Sequence, residues 1–145
     1  MKETARQMSK LVWSEDFSVH IHRFDDQHKQ LIEYINDLYD AMSDKRERDV
    51  VARILDELVD YTMTHFIDEE VALLRNDYPE YDRHKEEHDR FVAQVRDMHV
   101  RFHAAKSFSR VLCTEIVAVL TDWLKNHIMV VDKRYSDFLT RKGVK

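Results

Sequence analysis

The sequence predicts an all-α fold, an antiparallel up-down-up-down four-helix bundle preceded by an extended N-terminal segment. Three observations carry that expectation. Apolar residues recur at helical spacing in four long segments, strand-type alternation is missing, and the chain has one Gly and one Pro, which leaves little turn chemistry. The gaps between segments are a few residues long. Short links force consecutive helices to run antiparallel.

The first helix is expected to start at Asp25 and Asp26, which can cap an N-terminus, and to end near Ser43. Leu31, Ile32, Ile35, Leu38, Tyr39 and Met42 form its apolar face. The second spans about residues 47–75, with Val51, Leu55, Leu58, Thr62, His65, Phe66 and Glu69 along one side. Asn76-Asp77-Tyr78-Pro79 breaks the pattern, and Pro79 suits the first turn of a third helix reaching to about residue 106. Its inner face holds His84, His88, Phe91, Val95, Met98 and Phe102. Ser107 or Ser109 can cap a fourth helix carrying Leu112, Ile116, Leu120, Trp123, Leu124, His127 and Val131. Residues 1–25 form an arm, in which Trp13, Phe17 and Val19 can fold back onto the bundle.

At 145 residues, 43% of them hydrophobic, the chain reads as one domain over residues 1–145 that buries about two-thirds of its unfolded surface. A lone Cys113 forms no internal bridge and suits a reducing compartment, so the expected location is cytoplasmic. No apolar run is long enough to span a membrane, and a net charge of -5 with no basic face argues against nucleic acid.

Nine histidines are more than a generic domain needs. His65 and Glu69 are four apart, as are His84 and His88, so each pair lies about 40° apart around its helix. In an up-down bundle His28, His65, Glu69, His84, His88, His127 and Asp132 all fall at one level, the end holding the turn between helices two and three. Burying so many polar groups without a metal or full hydrogen bonding is costly. Seven donors are too many for one tetrahedral zinc, thiolates are missing, and imidazole with bridging carboxylates suits two iron atoms. Asp132 follows His127 by five residues, about 140° on a regular helix, so a π-type bulge or kink is expected between them.

These motifs also resemble a known family. Trp13 and Phe17 ahead of Asp25-Asp26-Gln27-His28-Lys29, then His65-Phe66-Ile67-Asp68-Glu69-Glu70, are followed by His84-x-x-x-His88 and Trp123-Leu124-Lys125-Asn126-His127-Ile128 leading to Asp132. Together they resemble the hemerythrins, of the single-domain bacterial kind. The resemblance implies two irons bridged by an oxo or hydroxo group and by Glu69 and Asp132. His84, His88 and His127 would hold one iron, and His28 and His65 the other. The two-histidine iron would then keep one open position for dioxygen or an anion such as azide. Leu124 and Ile128, beside His127, are the expected wall of that oxygen pocket.

The implied activity is reversible dioxygen binding for transport, storage or supply, without turnover. Two other readings stay open. One is a di-iron oxidase or a peroxide- or nitric-oxide-consuming enzyme, and the other is an oxygen-sensing module cut from a larger receptor. The family has a glycine near position 20, so His20 puts the path of that loop in question; His20 and His22 are expected at the surface. His99 and His103 repeat the HxxxH spacing about 16 Å farther along helix three. Helix four faces them with only Glu115 and Cys113, so no second metal centre is expected there.

Overall fold

The computed structural model describes residues 10–44, 48–105 and 110–145. Helices α1 (His22–Ser43), α2 (Arg48–Arg75), α3 (Tyr81–Ala104) and α4 (Arg110–Asn126) form the bundle. A π-helical segment, His127–Asp132, carries α4 into α5 (Lys133–Arg141). No strand occurs among the described residues. Glu47, Lys106, Ser107 and Ser109, invoked for helix ends and capping, lie outside them, as do residues 1–9.

The expected faces are the buried ones. Leu31, Ile35, Leu38, Leu55, Leu58, Phe91, Val95, Met98, Ile116 and Leu120 meet in one apolar core. A second, smaller core of Val19, Ile21, Phe24, Leu73, Tyr78, Tyr135 and Leu139 closes the end of the bundle beyond the histidine level. The histidines therefore lie between two layers of packed hydrocarbon.

Helix α1 begins earlier than the acidic pair suggested. Its N-cap is Ile21, without a side-chain cap bond. Asp25 lies inside the first turn and reaches backward, accepting hydrogen bonds from the Ser18 hydroxyl at 2.6 Å and the Val19 amide at 2.8 Å. The carboxylate pins the incoming arm instead of starting the helix. Phe17 and Val19 are buried and Trp13 stacks on Phe17, while the Leu11 backbone is held by both polar atoms of the Asn36 side chain. Ser136 on α5 closes the arm by donating to the Val19 carbonyl at 2.6 Å.

The turn from α2 to α3 is a helix stop built without glycine. Asp77 sits at φ 54°, Tyr78 N–H returns to the Leu73 carbonyl, and Asp77 N–H to that of Leu74. That pattern satisfies the last carbonyls of α2, and Tyr78 packs near Leu73 as the motif requires. Pro79 lies in the linking turn, two residues before α3 starts at Tyr81. The same stop recurs after α5, where the single glycine, Gly143 at φ 85°, takes the left-handed position.

Candidate metal centre

Five imidazoles and two carboxylates meet between the four helices and the π segment. His28 comes from α1, His65 and Glu69 from α2, His84 and His88 from α3, and His127 and Asp132 from the two ends of the π segment. All seven are buried. The helical spacing of four explains the α2 and α3 pairs. The His127–Asp132 pair needs the wider turn, which brings a separation of five residues round to one side and leaves His127 Nε2 2.9 Å from Asp132 Oδ1.

The donors fall into two sets that share both carboxylates. His84, His88 and His127 group with Glu69 and Asp132, and His28 and His65 group with the same two acids. Each carboxylate divides its oxygens between the sets. Glu69 Oε1 lies 2.8 Å from His84 Nε2 and 3.2 Å from His88 Nε2, while Oε2 lies 3.1 Å from His65 and 3.6 Å from His28. Asp132 Oδ1 faces His84 and His127, at 3.3 and 2.9 Å, and Oδ2 faces His28 at 3.2 Å.

These contacts suit cations better than hydrogen bonds. Both nitrogens of His28, Nδ1 of His127 and both oxygens of Asp132 are buried with no hydrogen-bond partner. Polar atoms so placed cost several kcal/mol unless a counter-charge satisfies them. Two cations among the inward nitrogens and split carboxylates would satisfy His28 Nε2 and both oxygens of Asp132, and the donor set fits them.

Outer partners fix the rings. His65 Nδ1–H donates to Gln27 Oε1 at 2.5 Å, and Gln27 in turn donates to Asp68. His88 Nδ1–H donates to Glu70 at 2.8 Å. A proton held on Nδ1 by these partners would leave Nε2 as the nitrogen that faces inward to take a metal. Phe66 stacks on His88 with the ring planes 3° apart, and Trp123 stacks on His127 at 4.2 Å. Tyr135, fully buried on α5, donates its hydroxyl to Glu69 Oε2 at 2.8 Å.

Charge completes the description. Burial works against an ionised Glu69, yet His65, His28 and His84 hold it well below the usual carboxylate range. Burial and repulsion from Glu69 likewise oppose an ionised Asp132, but His127 and His28 keep it low. The acids act in return on the imidazoles. Burial lowers His28, but Asp132 and Glu69 outweigh it and push it up to about 9; Glu69 and Glu70 do the same for His88, also to about 9.

All seven sequence-derived candidates thus come together. Tyr135 was missed, although its place three residues after Asp132 puts it on the same helical flank. Gln27 and Glu70 were read only as parts of motifs; each adjoins a donor in sequence. Leu124 and Ile128 are buried in the main core next to His127. His20 and His22 are exposed, as expected.

The sequence matches the hemerythrin HHE cation binding domain family over residues 19–139. It is 37% identical over 130 residues to a bacteriohemerythrin of Stenotrophomonas maltophilia, covering 90% of this chain and 82% of that protein. A bacteriohemerythrin of Methylococcus capsulatus is 34% identical, with 92% and 99% covered. Among solved structures, wild-type hemerythrin superposes with a TM-score of 0.83 at 32% identity, over 91% of this chain and 99% of that one. The chain belongs to the hemerythrin family.

Proposed function

We propose that this chain binds dioxygen reversibly at a di-iron centre held by His28, His65, Glu69, His84, His88, His127 and Asp132, as an oxygen carrier, store or supplier and not as an enzyme. The observation that carries the reading is the division of both carboxylates, one oxygen of each toward either histidine set. When bound, two bridged irons supply a redox pair able to take up dioxygen and release it again. The protein's part is to hold, orient and keep dry. Three imidazoles face one side and two the other, so an iron on the His28/His65 side would have one protein donor fewer and would be the one to take the small ligand, dioxygen or azide. Leu124 and Ile128, buried in the main core next to His127, would keep water and stray protons out of the site. Tyr135 holds its proton on the phenol, where burial and the nearby acids push it well above its ordinary range, and steadies Glu69 from the same side. The lone buried Cys113, with no partner for a disulfide, favours a cytoplasmic setting, and no described helix is long and apolar enough to cross a membrane.

The test combines metal analysis with ultraviolet–visible spectra of deoxygenated, oxygenated and azide-treated protein. About two irons per chain and an oxygen adduct lasting minutes are expected. One zinc per chain, or an adduct lost within seconds, would overturn the carrier reading. An azide-soaked crystal locates the ligand side: density among His84, His88 and His127 would reverse the assignment.

A further inference from the structure

The second HxxxH pair meets a partner that the sequence did not disclose. Facing His99 and His103 is α2, which presents Asp56. The Nε2 atoms of His99 and His103 converge on one oxygen, Asp56 Oδ1, at 2.5 and 2.9 Å. The two rings stand 4.5 Å apart, as expected for imidazoles one helical turn apart on α3. One donor atom from each of the three residues lies within 4.8 Å of the others. Asp60, one turn along α2, lines the same cleft of about 470 Å³ with Val59.

We propose that Asp56, His99 and His103 form a second metal site, separate from the di-iron centre, for a borderline divalent ion of the zinc, nickel or copper class. Two imidazoles and one carboxylate make a donor set suited to such ions and poor for magnesium or calcium, which prefer all-oxygen surroundings. The carboxylate carries the negative charge that a cation needs. Burial opposes its ionisation, yet His103 and His99 hold Asp56 below its usual range. The side chains are 31%, 40% and 48% exposed for His99, His103 and Asp56, so an ion can enter and water can fill its remaining positions. His99 lies eleven residues beyond His88, about 16 Å along α3, so the two centres share no donor. An ion here would pin α2 to α3 at the end of the bundle away from the di-iron level.

The experiment uses the full, iron-loaded chain and nickel as probe. Calorimetric titration followed by metal analysis should find one nickel per chain beyond the iron. His99→Gln with His103→Gln should weaken nickel binding by at least the ~10–100-fold that losing even an outer partner costs a metal site. Asp56→Asn, which keeps shape and loses charge, should weaken it less than the double substitution. Iron content, the visible spectrum and far-ultraviolet circular dichroism should be unchanged in all variants. No third ion at about 1 mM nickel, or a double variant that binds nickel as tightly as the parent, would show that the three residues are only a hydrogen-bonded clamp between helices.

Discussion

At position 20 a histidine holds φ 60°, in the left-handed region where a Cβ crowds the backbone at a cost of about 1–2 kcal/mol. Its amide donates to the Ser18 hydroxyl, and its side chain is exposed, so nothing buried depends on the imidazole. His20→Gly should therefore stabilise the protein by roughly 0.5–1 kcal/mol after the greater freedom of glycine in the unfolded chain is deducted. Urea denaturation checks this, and a destabilised variant would mean that His20 makes a favourable contact. Leu124 offers the opposite case. Leu124→Ala should cost about 2–5 kcal/mol as a core truncation, leave iron content intact, and speed autoxidation by admitting water beside His127. Spectral decay of the oxygenated form reads it out; an unchanged rate would reduce Leu124 to packing. At this scale the meeting of the seven candidate donors was legible in the sequence because spacing and chain direction place them. Tyr135 was not, since its bond to Glu69 joins residues 66 positions apart and depends on how α5 is turned.

Among the elements, the π segment is the one whose irregularity the sequence required. Asp132 stands five positions after His127, both must face one centre, and the structure widens the turn over that interval. The added residue is absorbed locally, so α4 and α5 keep their registers. Removing the half-exposed Val130 should close the turn to ordinary α-helical bonding and leave His127 and its carboxylate four apart, about 40° around the axis. The shortened chain should keep its helicity and two irons, measured by circular dichroism and metal analysis. Loss of iron with helicity retained would show that the wide turn itself sets the Asp132 position. Helix starts were harder to read. Asp25 has the chemistry of a cap, and only the path of the arm, with Ser18 and Val19 brought over it, shows that it works backward. Pro79 misled in a smaller way, lying in the turn ahead of α3.

For the whole molecule, the centre is a concentration of charge enclosed by two apolar cores, and protons and metal ions compete for it. His28 and His88, both pushed up to about 9, are protonated at neutral pH when no cation is bound, whereas a ligand imidazole must be neutral. Loading therefore displaces both protons. The overall constant for binding two ferrous ions should rise by up to about a hundredfold per pH unit between pH 7 and 8, and level off above about 9. Anaerobic chelator competition measures that slope; a flat profile would mean these imidazoles are neutral already. The sign for stability follows the same shifts. With iron removed, the stabilisation from protonated His28 and His88 is full below their ordinary value near 6.5 and is lost as pH rises through about 9. The bundle itself was the most legible part, because periodicity and short links constrain it from every segment at once. The pairing of His99 and His103 with Asp56 was hidden, since it depends on which neighbouring helix α3 turns that flank toward.

Of the two tryptophans in the chain, one lies against a histidine of the buried cluster. Trp123 is sandwiched between His127 at 4.2 Å and Phe91 at 3.7 Å, with the planes 13° and 10° apart, whereas Trp13 packs on Phe17 beneath the ammonium of Lys29. An excited indole in that stack loses its energy readily to an open-shell ion on the next ring. Trp123 should therefore darken as iron is loaded and brighten as it is withdrawn, while Trp13 gives a steadier background. Trp123→Phe should abolish most of the change in fluorescence, and a response that survives the substitution would place the reporter elsewhere. The chain carries its own optical gauge of occupancy, readable without label or added dye.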